Sequence, residues 1–520
     1  MTETLTQDNF TAKQKDYAIF LPAISGFYAT FIGKQRQTNY VDPARMPAQI
    51  QDMEQLNWLN SQQALFPYRW SLYSAGHANL DLAKEDASED MVRKREPGSF
   101  MLGDSGGFQI AKGIWEGDWH ANSGCPKAQR RRESVLHWLD NIADYAMILD
   151  IPTWVIHDDD ANSRIGNFKN NKELVAATRF NNDYFIKHRR GVENGGARFL
   201  NVLQGDNHKA ADQWYNTMKD YCDPTKYPGR HFDGWAMGGQ NMCDVHLVLK
   251  RLVELRYDNL LQEGLHDWMH FLGTSKLEWA LLLTDIQRAI RRYVNPRFSI
   301  SFDCASPFLA TANGQIYHEI DLCHQGKWSY RMSPSIDDRR YATDTRSMRD
   351  VFVTDYKQNY PVFEQSPISS RCLIKDICIY KPGDLNKLGK EGKTSWDSFS
   401  YALQMAHNVW MHIEAVQRAN REYDNGIYPS MMRKQTPDYA KFRDIVDDIF
   451  SAPTRQASID IIDHYDHYWR QIVGTRGFTG KRTVNAFTMS NELFEVVDDD
   501  QEPVLNLDRL NEIEEAIHEQ

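Results

Sequence analysis

Phe100-Met101-Leu102-Gly103-Asp104-Ser105-Gly106-Gly107-Phe108-Gln109 runs from an apolar segment into an acid, a hydroxyl and two glycines. The apolar part is the kind of run that ends a buried strand. Paired glycines let the backbone pass close to a flat ligand and free its amides to donate hydrogen bonds. An acid at a strand's end beside a glycine turn is a common active-site layout in α/β proteins. Taken alone, Asp-Ser-Gly-Gly reads equally well as an ordinary turn. The decision comes from how the rest of the chain repeats the pattern.

Short apolar segments recur at 17–24, 70–74, 99–102, 145–149, 198–203, 232–237, 269–272 and 297–302, with helix-length intervals between most of them. Residues 136–146 and 245–263 carry helical apolar spacing. Strands alternating with helices predict a parallel sheet. Eight of them predict a closed (β/α)8 TIM barrel, with a doubly wound open sheet as the alternative that strand number leaves open. The polar residues gather just past the strand ends: Asp104, Asp150, Gln204-Gly205-Asp206, Gly238-Gly239-Gln240, Gly273-Thr274-Ser275 and Asp303-Cys304. In a barrel these points converge on one face.

The rhythm stops beyond Pro307. Three units are expected: a barrel over 1–330, an irregular connecting segment over 331–394, and a helical accessory region over 395–520. Trp396, Phe399, Leu403, Ala406, Trp410 and Ile413 recur at intervals of three and four, which predicts a helix with one apolar face. Residues 439–451 and 459–473 read similarly, and 495–520 read as an acidic tail. The N-terminus is polar and no apolar run reaches membrane-spanning length, so neither a secretory signal nor a span is expected. Seven scattered cysteines suit free thiols in a reducing cytoplasm. The net charge of −11 argues against a protein that coats nucleic acid through bulk charge, and leaves room for a local basic groove.

Five motifs occur in order, each at a strand end: Asp104 to Gln109, Val202-Leu203-Gln204-Gly205, Phe232 to Gly239, His270-Phe271-Leu272-Gly273 and Phe302-Asp303-Cys304. Together they resemble the tRNA-guanine transglycosylase (queuine tRNA-ribosyltransferase) superfamily over about residues 95–310. The resemblance implies a barrel enzyme that exchanges guanine in nucleic acid for a 7-deazaguanine. It implies Asp303 as the nucleophile on the sugar C1′ and Asp104 as the general acid and base. It also implies base recognition by Asp150, Gln204, Gly238 and Gly239, with Ser105 and Phe108 beside them. A carboxylate suits the nucleophilic role because it can bond to an oxocarbenium-like carbon and leave again.

The chain departs from the superfamily where RNA is read. A Pro-Thr-Arg-x-x-Arg run follows the nucleophile in the tRNA enzymes; here Ala305 to Asn313 contains no arginine. Their zinc spacing, Cys-x-Cys-x-x-Cys…His, is missing too, so no metal or other cofactor is expected. Ile151-Pro152-Thr153 replaces a polar residue usual after the base-binding acid, and Gln240 stands where leucine is common. These departures resemble the DNA-modifying branch, the DpdA-like proteins of phages and bacterial islands. The expected partners are therefore DNA, with tRNA as the alternative, and a 7-deazaguanine such as 7-cyano-7-deazaguanine. Candidate phosphate contacts are Arg130, Arg131, Arg132, Arg189 and Arg190, with Lys187, His188 and Arg339-Arg340 as further basic clusters. His157-Asp158-Asp159-Asp160 would serve a metal-dependent hydrolase, a reading that no converging histidine pair supports. A non-catalytic subunit is disfavoured by the presence of both Asp104 and Asp303.

Overall fold

A computed structural model describes residues 16–38, 41–242, 244–274, 276–349, 366–379, 395–432, 442–470 and 472. Its centre is an eight-stranded parallel sheet: β1 (Ile19–Pro22), β2 (Trp70–Ser74), β3 (Phe100–Asp104), β4 (Tyr145–Met147), β5 (Arg198–Leu203), β6 (Gly234–Met237), β7 (Trp268–Phe271) and β8 (Ser299–Cys304). From β2 to β8 each strand pairs with the next in sequence, and β1 pairs with β8 from Ile19↔Ser301 to Pro22↔Cys304. A bridge between Ala23 and Leu72, with Ile24 N donating to Leu72 O at 2.9 Å, brings β1 to β2 and leaves the ring nearly closed. The fold is a (β/α)8 barrel.

Side chains two apart on a strand share a face, and this places layers inside the barrel. Trp70, Phe100, Tyr145 and Trp268, near the strand starts, pack ring against ring; Phe100 stacks on Trp268 at 4.7 Å between centroids. This plug closes the N-terminal end, and each such buried ring contributes about 1.5–3 kcal/mol through its removal from water. Two residues on, Leu72 and Met147 form the floor of the opposite end. Two further on stand Ser74 and Asp104, paired in register across β2 and β3.

Outer helices begin at side-chain caps. Asn170, Asn207, Asp244 and Asp397 accept from backbone amides of Asn171–His188, His208–Met218, Val245–Tyr257 and Ser398–Asp424 respectively. Two helices are shorter at their C-terminal ends than the apolar spacing predicts. Pro126–Ile142 stops because the chain turns into β4, and Val245–Tyr257 stops before Asn259, which takes a left-handed φ of 60°.

Beyond the barrel the outcome is mixed. Residues 315–334, expected as barrel end and connector, form an antiparallel hairpin, β9 (Gln315–Asp321) and β10 (Ser329–Pro334). The helix Ser398–Asp424 is buried without a break from Phe399 to Asn420, where one apolar face is expected. One side meets the barrel: His412 stacks on Phe20 of β1 at 4.3 Å, and Asn420 bonds Thr284 of the helix Leu277–Tyr293 at 2.8 Å. Another side meets the hairpin through Asn408 to Tyr317 N and His412 to the Tyr330 hydroxyl. The polar residues expected to face water are instead buried, Asn408 and His412 bonding the hairpin and Asn420 the barrel. Shorter helices Phe442–Ser451 and Arg455–His464 follow. The expected acidic tail over 495–520 and the connector residues 350–365 and 380–394 lie outside the described residues. Among the described residues no helix is long and apolar enough to cross a membrane.

Candidate active site

A pocket of about 330 Å³ opens at the C-terminal ends of the strands. Asp104, Asp150, Gln204, Gly238, Gly239 and Asp303 all line it, and Phe108 stands at its edge. Five strands or the turns after them thus deliver the residues that the motifs single out.

Asp303 is held from one side only. His270 Nε2 lies 3.0 Å and Gly273 N 2.9 Å from its Oδ1. Oδ2 accepts no hydrogen bond among the described residues. Behind His270, its Nδ1 lies 2.9 Å from Ser301 Oγ, which also accepts from Trp268 Nε1 at 2.9 Å. The chain of bonds fixes the protons. Indole N–H only donates and a carboxylate only accepts. Ser301 therefore receives from Trp268 and gives its own proton to Nδ1, and His270 presents Nε2–H to Asp303. All three residues behind Asp303 are buried.

Asp104 and Asp150 differ from it in their surroundings. Burial above all, then the charge of Asp303, raises the Asp104 pKa, while a 2.5 Å bond from the Ser74 hydroxyl opposes the rise. Burial likewise pushes Asp150 up to about 7, with Asp104 adding to the shift and the 2.8 Å bond from Gln204 Nε2 working against it. Asp150 thus sits near the midpoint of its titration at neutral pH, poised to take up or release a proton with its ligand.

Glycines allow the close approach. A side chain on Gly107 would place its Cβ 2.6 Å from the Asp150 carbonyl. Gly239 has a φ of 55° and would press a Cβ to 2.5 Å from Gly205 O. At the mouth, Phe108 is 39% exposed beside Trp154, with Lys112 Nζ over both rings. Gln109 lies in the wall with its Oε1 buried and without a hydrogen-bond partner among the described residues.

Four candidates move. Ser105 is buried and donates to Ile148 O at 2.9 Å, tying β3 to β4; it does not line the pocket, and Ser74 is the hydroxyl that holds Asp104. Arg132 is buried with Nε on Asn181 at 2.7 Å, which withdraws it from any phosphate. Arg189 is buried against Asp233 at 2.7 Å, below the start of β6, on the face opposite the pocket. Arg190 shares that face: it is exposed, and it bonds the Asp140 and Gly195 carbonyls. By contrast, Arg130 and Arg131 line a groove of about 1020 Å³ with Trp115, whose ring lies 4.6 Å from the Arg131 guanidinium. The groove starts at Ala78, next to His77 of the pocket.

Metal-capable residues occur where cysteine spacing gives no signal. His208, Asp244 and His246 each bring one ligand atom within 4.8 Å of the others. They come from two loops separated in sequence by a helix and a strand, which is why the chain read linearly does not group them. His157 instead approaches Asp206 at 3.6 Å, and Asp158 caps the helix Asp159–Ile165. No described cysteine belongs to such a group.

Ser74, Gln109, His270 and Ser301 are the site residues to which the sequence reading assigns no role. Ser301 lies two residues before Asp303, on the same face of β8, and that spacing is the signal that points to it; His270 stands inside the His270-Phe271-Leu272-Gly273 motif. The chain matches no protein-family model and no curated protein.

Proposed function

We propose that this protein exchanges guanine in DNA for a 7-deazaguanine through a covalent bond between Asp303 and the sugar. The observation that carries the reading is the presence in one pocket of three acids in different environments. One is oriented with a single oxygen left open, one has a raised pKa beside it, and one is paired with an amide. The order and strand-end placement of the five motifs supports the same reading.

Asp303 Oδ2 attacks C1′ and the bond from C1′ to N9 of guanine breaks. Asp104 supplies the proton that the departing base needs. The product is a glycosyl ester on Asp303 and free guanine, and Asp104 is left as a carboxylate. The incoming 7-deazaguanine gives its N9 proton to Asp104 and attacks C1′, and the ester bond to Asp303 breaks. Asp104 ends protonated, ready for another cycle. The ionised Asp150 accepts from the ring N–H and amino group of the base. Gln204 and Gly239 face the rest of its edge, and Gln109 offers a further acceptor. A base inside a duplex reaches the pocket only when flipped out of the stack. Phe108 at the mouth offers such a base an aromatic face.

The choice of DNA over tRNA rests on the segment after the nucleophile. Where the tRNA enzymes carry anticodon-reading arginines, this chain forms the helix Ser306–Ala312, every residue of which is buried. It contains no cation to offer an RNA loop.

The test is mass spectrometry of nucleosides from DNA and from tRNA of cells that express the protein and make 7-cyano-7-deazaguanine. A deazaguanine nucleoside in DNA that depends on this protein is the expected result. Its appearance only in tRNA would keep the chemistry and overturn the substrate. Its appearance in neither would overturn the reading.

A further inference from the structure

The geometry points to a binding site for one divalent transition-metal ion of the zinc type at His208, Asp244 and His246, beside the pocket and separate from it. His208 opens the helix after β5, four residues past Gln204. Asp244 caps the helix after β6, a few residues past Gly239, and His246 lies in its first turn. One ligand atom from each lies within 4.8 Å of the others.

The plain alternative is a capping acid with a histidine beside it. Capping explains only part of the arrangement. Asp244 Oδ1 accepts from Leu247 N at 3.2 Å, which completes the cap, while Oδ2 turns to His208 Nε2 at 2.6 Å. The second histidine converges on the same point with its ring 5.7 Å from that of His208. Behind it a second layer is in place. Asp463 Oδ1 lies 3.0 Å and Asp466 Oδ1 3.9 Å from His246 Nε2. Carboxylates that hold a histidine ring from behind are the usual outer shell of a metal-bound imidazole, where they set its tautomer and raise its basicity. Lys250, 2.9 Å from Asp463, and Arg470, 2.8 Å from Asp466, are basic groups in contact with that layer.

Donor chemistry selects the ion. Two imidazoles and a carboxylate suit zinc and its neighbours, whereas calcium and magnesium take oxygen ligands. Bond lengths of about 2.0–2.2 Å set the ligand atoms of a tetrahedral ion roughly 3.3 Å apart. The three side chains therefore reach such an ion by shifts on the order of 1 Å or less for the His208–Asp244 pair and somewhat more for the widest separation, within side-chain rotation. When the metal takes Nε2 of His208, the single N–H of the neutral ring sits on Nδ1, and Asp244 Oδ2 is freed from His208 to ligate the ion. The His208 side chain is 35% exposed and gives the ion a path, while Asp244 is fully buried.

The bound ion would act as a clip. It joins the loop that carries Gln204 to the loop that carries Gly238 and Gly239. Through Asp463 and Asp466 it also fastens the C-terminal helices to that side of the barrel. At present Asn241 Nδ2 spans the two loops with bonds of 3.3 Å to Gln204 O and Gly238 O. The expectation of no metal rests on cysteine spacing alone, a criterion that a histidine–carboxylate site does not meet.

The test is cobalt titration of the full-length protein, made without a polyhistidine tag and stripped with a chelator. One equivalent of Co(II) should bind with the visible absorption of a low-symmetry tetrahedral site. Zn(II) should displace it. His208→Ala and His208→Gln, both at a partly exposed position, should abolish the band while melting near the wild-type temperature. Asp463→Asn should weaken zinc binding about 10–100-fold. Absence of stoichiometric cobalt or zinc binding by the wild-type protein would overturn the proposal. So would a band unchanged in both His208 variants, or one carrying thiolate charge transfer and lost in Cys372→Ser. These readouts do not depend on base exchange, so the metal site and the proposed activity stand or fall separately.

Discussion

His270 of β7 and Asp303 of β8 meet with Nε2 3.0 Å from Oδ1, and the proton between them is set by Ser301 and Trp268 deeper in the barrel. The aromatic plug that closes one end of the barrel thus continues, bond by bond, into the reactive end at the other.

This relay makes Ser301 a positioning residue. Ser301→Ala leaves the indole N–H of Trp268 and Nδ1 of His270 without their partner in a buried place. Each orphaned group costs about 1–3 kcal/mol. Urea unfolding should show that loss, and exchange activity in the folded fraction should fall through kcat, because the His270 tautomer is no longer fixed. Wild-type stability together with wild-type kcat would remove the relay from the account.

Asp150 predicts a stability that depends on pH. Its pKa is about 7 in the folded chain against 3.8 ordinarily. Between those values the folded chain holds a proton that the unfolded chain has lost, so this group's contribution to stability falls as pH rises through the window. Asp150→Asn cannot ionise, and its Oδ1 can still accept from Gln204. The variant should melt with the wild type at pH 4 and above it at pH 8, while binding guanine less well. Equal melting at pH 8 would contradict the assignment.

Ser74 tunes Asp104. Its hydroxyl lowers a pKa that burial and Asp303 raise. Ser74→Ala should therefore move the Asp104 ionisation in the pH–rate profile to higher pH. A shift to lower pH, or none, would show that another group governs that limb.

The arginine assignments separate by face. Arg130→Ala should weaken DNA binding and reduce its salt dependence by about 0.9 in the log–log slope, the value of one lost phosphate contact. Arg190→Ala, on the opposite end of the barrel, should change neither. Reversed results would place the nucleic acid on the other face.

The barrel is legible because each strand is an apolar run with a polar residue at its end, and a buried parallel sheet leaves that mark locally. Asp104, Asp150, Gln204 and Asp303 share the mark. What escapes the reading depends on partners distant in sequence. Ser74 is an unremarkable strand-end serine until β3 sets it beside Asp104. Ser105 looks like the natural partner of Asp104, yet its side chain turns to the neighbouring strand, because adjacent residues point opposite ways. Arg132 and Arg189 read as surface charge until Asn181 and Asp233 are found against them. The helix Ser398–Asp424 shows one apolar stripe, and its polar side is buried because the hairpin of β9 and β10 and the barrel's own helices cover it, with Asn408 against Tyr317 and Thr311 and Asn420 against Thr284.

The central claim is that Asp303 bonds to the sugar, and trapping that bond tests it most directly. Duplex DNA containing labelled guanine is incubated with the protein and 7-cyano-7-deazaguanine, quenched and run on a denaturing gel, with guanine release measured in parallel. The wild-type protein should release guanine and carry a covalent DNA adduct. Asp303→Asn keeps an oxygen for both His270 and Gly273, so it should melt like the wild type, yet it should form no adduct and release no guanine. Asp104→Asn should slow release by roughly 10²–10⁴-fold. A folded Asp303→Asn protein that still exchanges guanine or still forms the adduct would contradict the account.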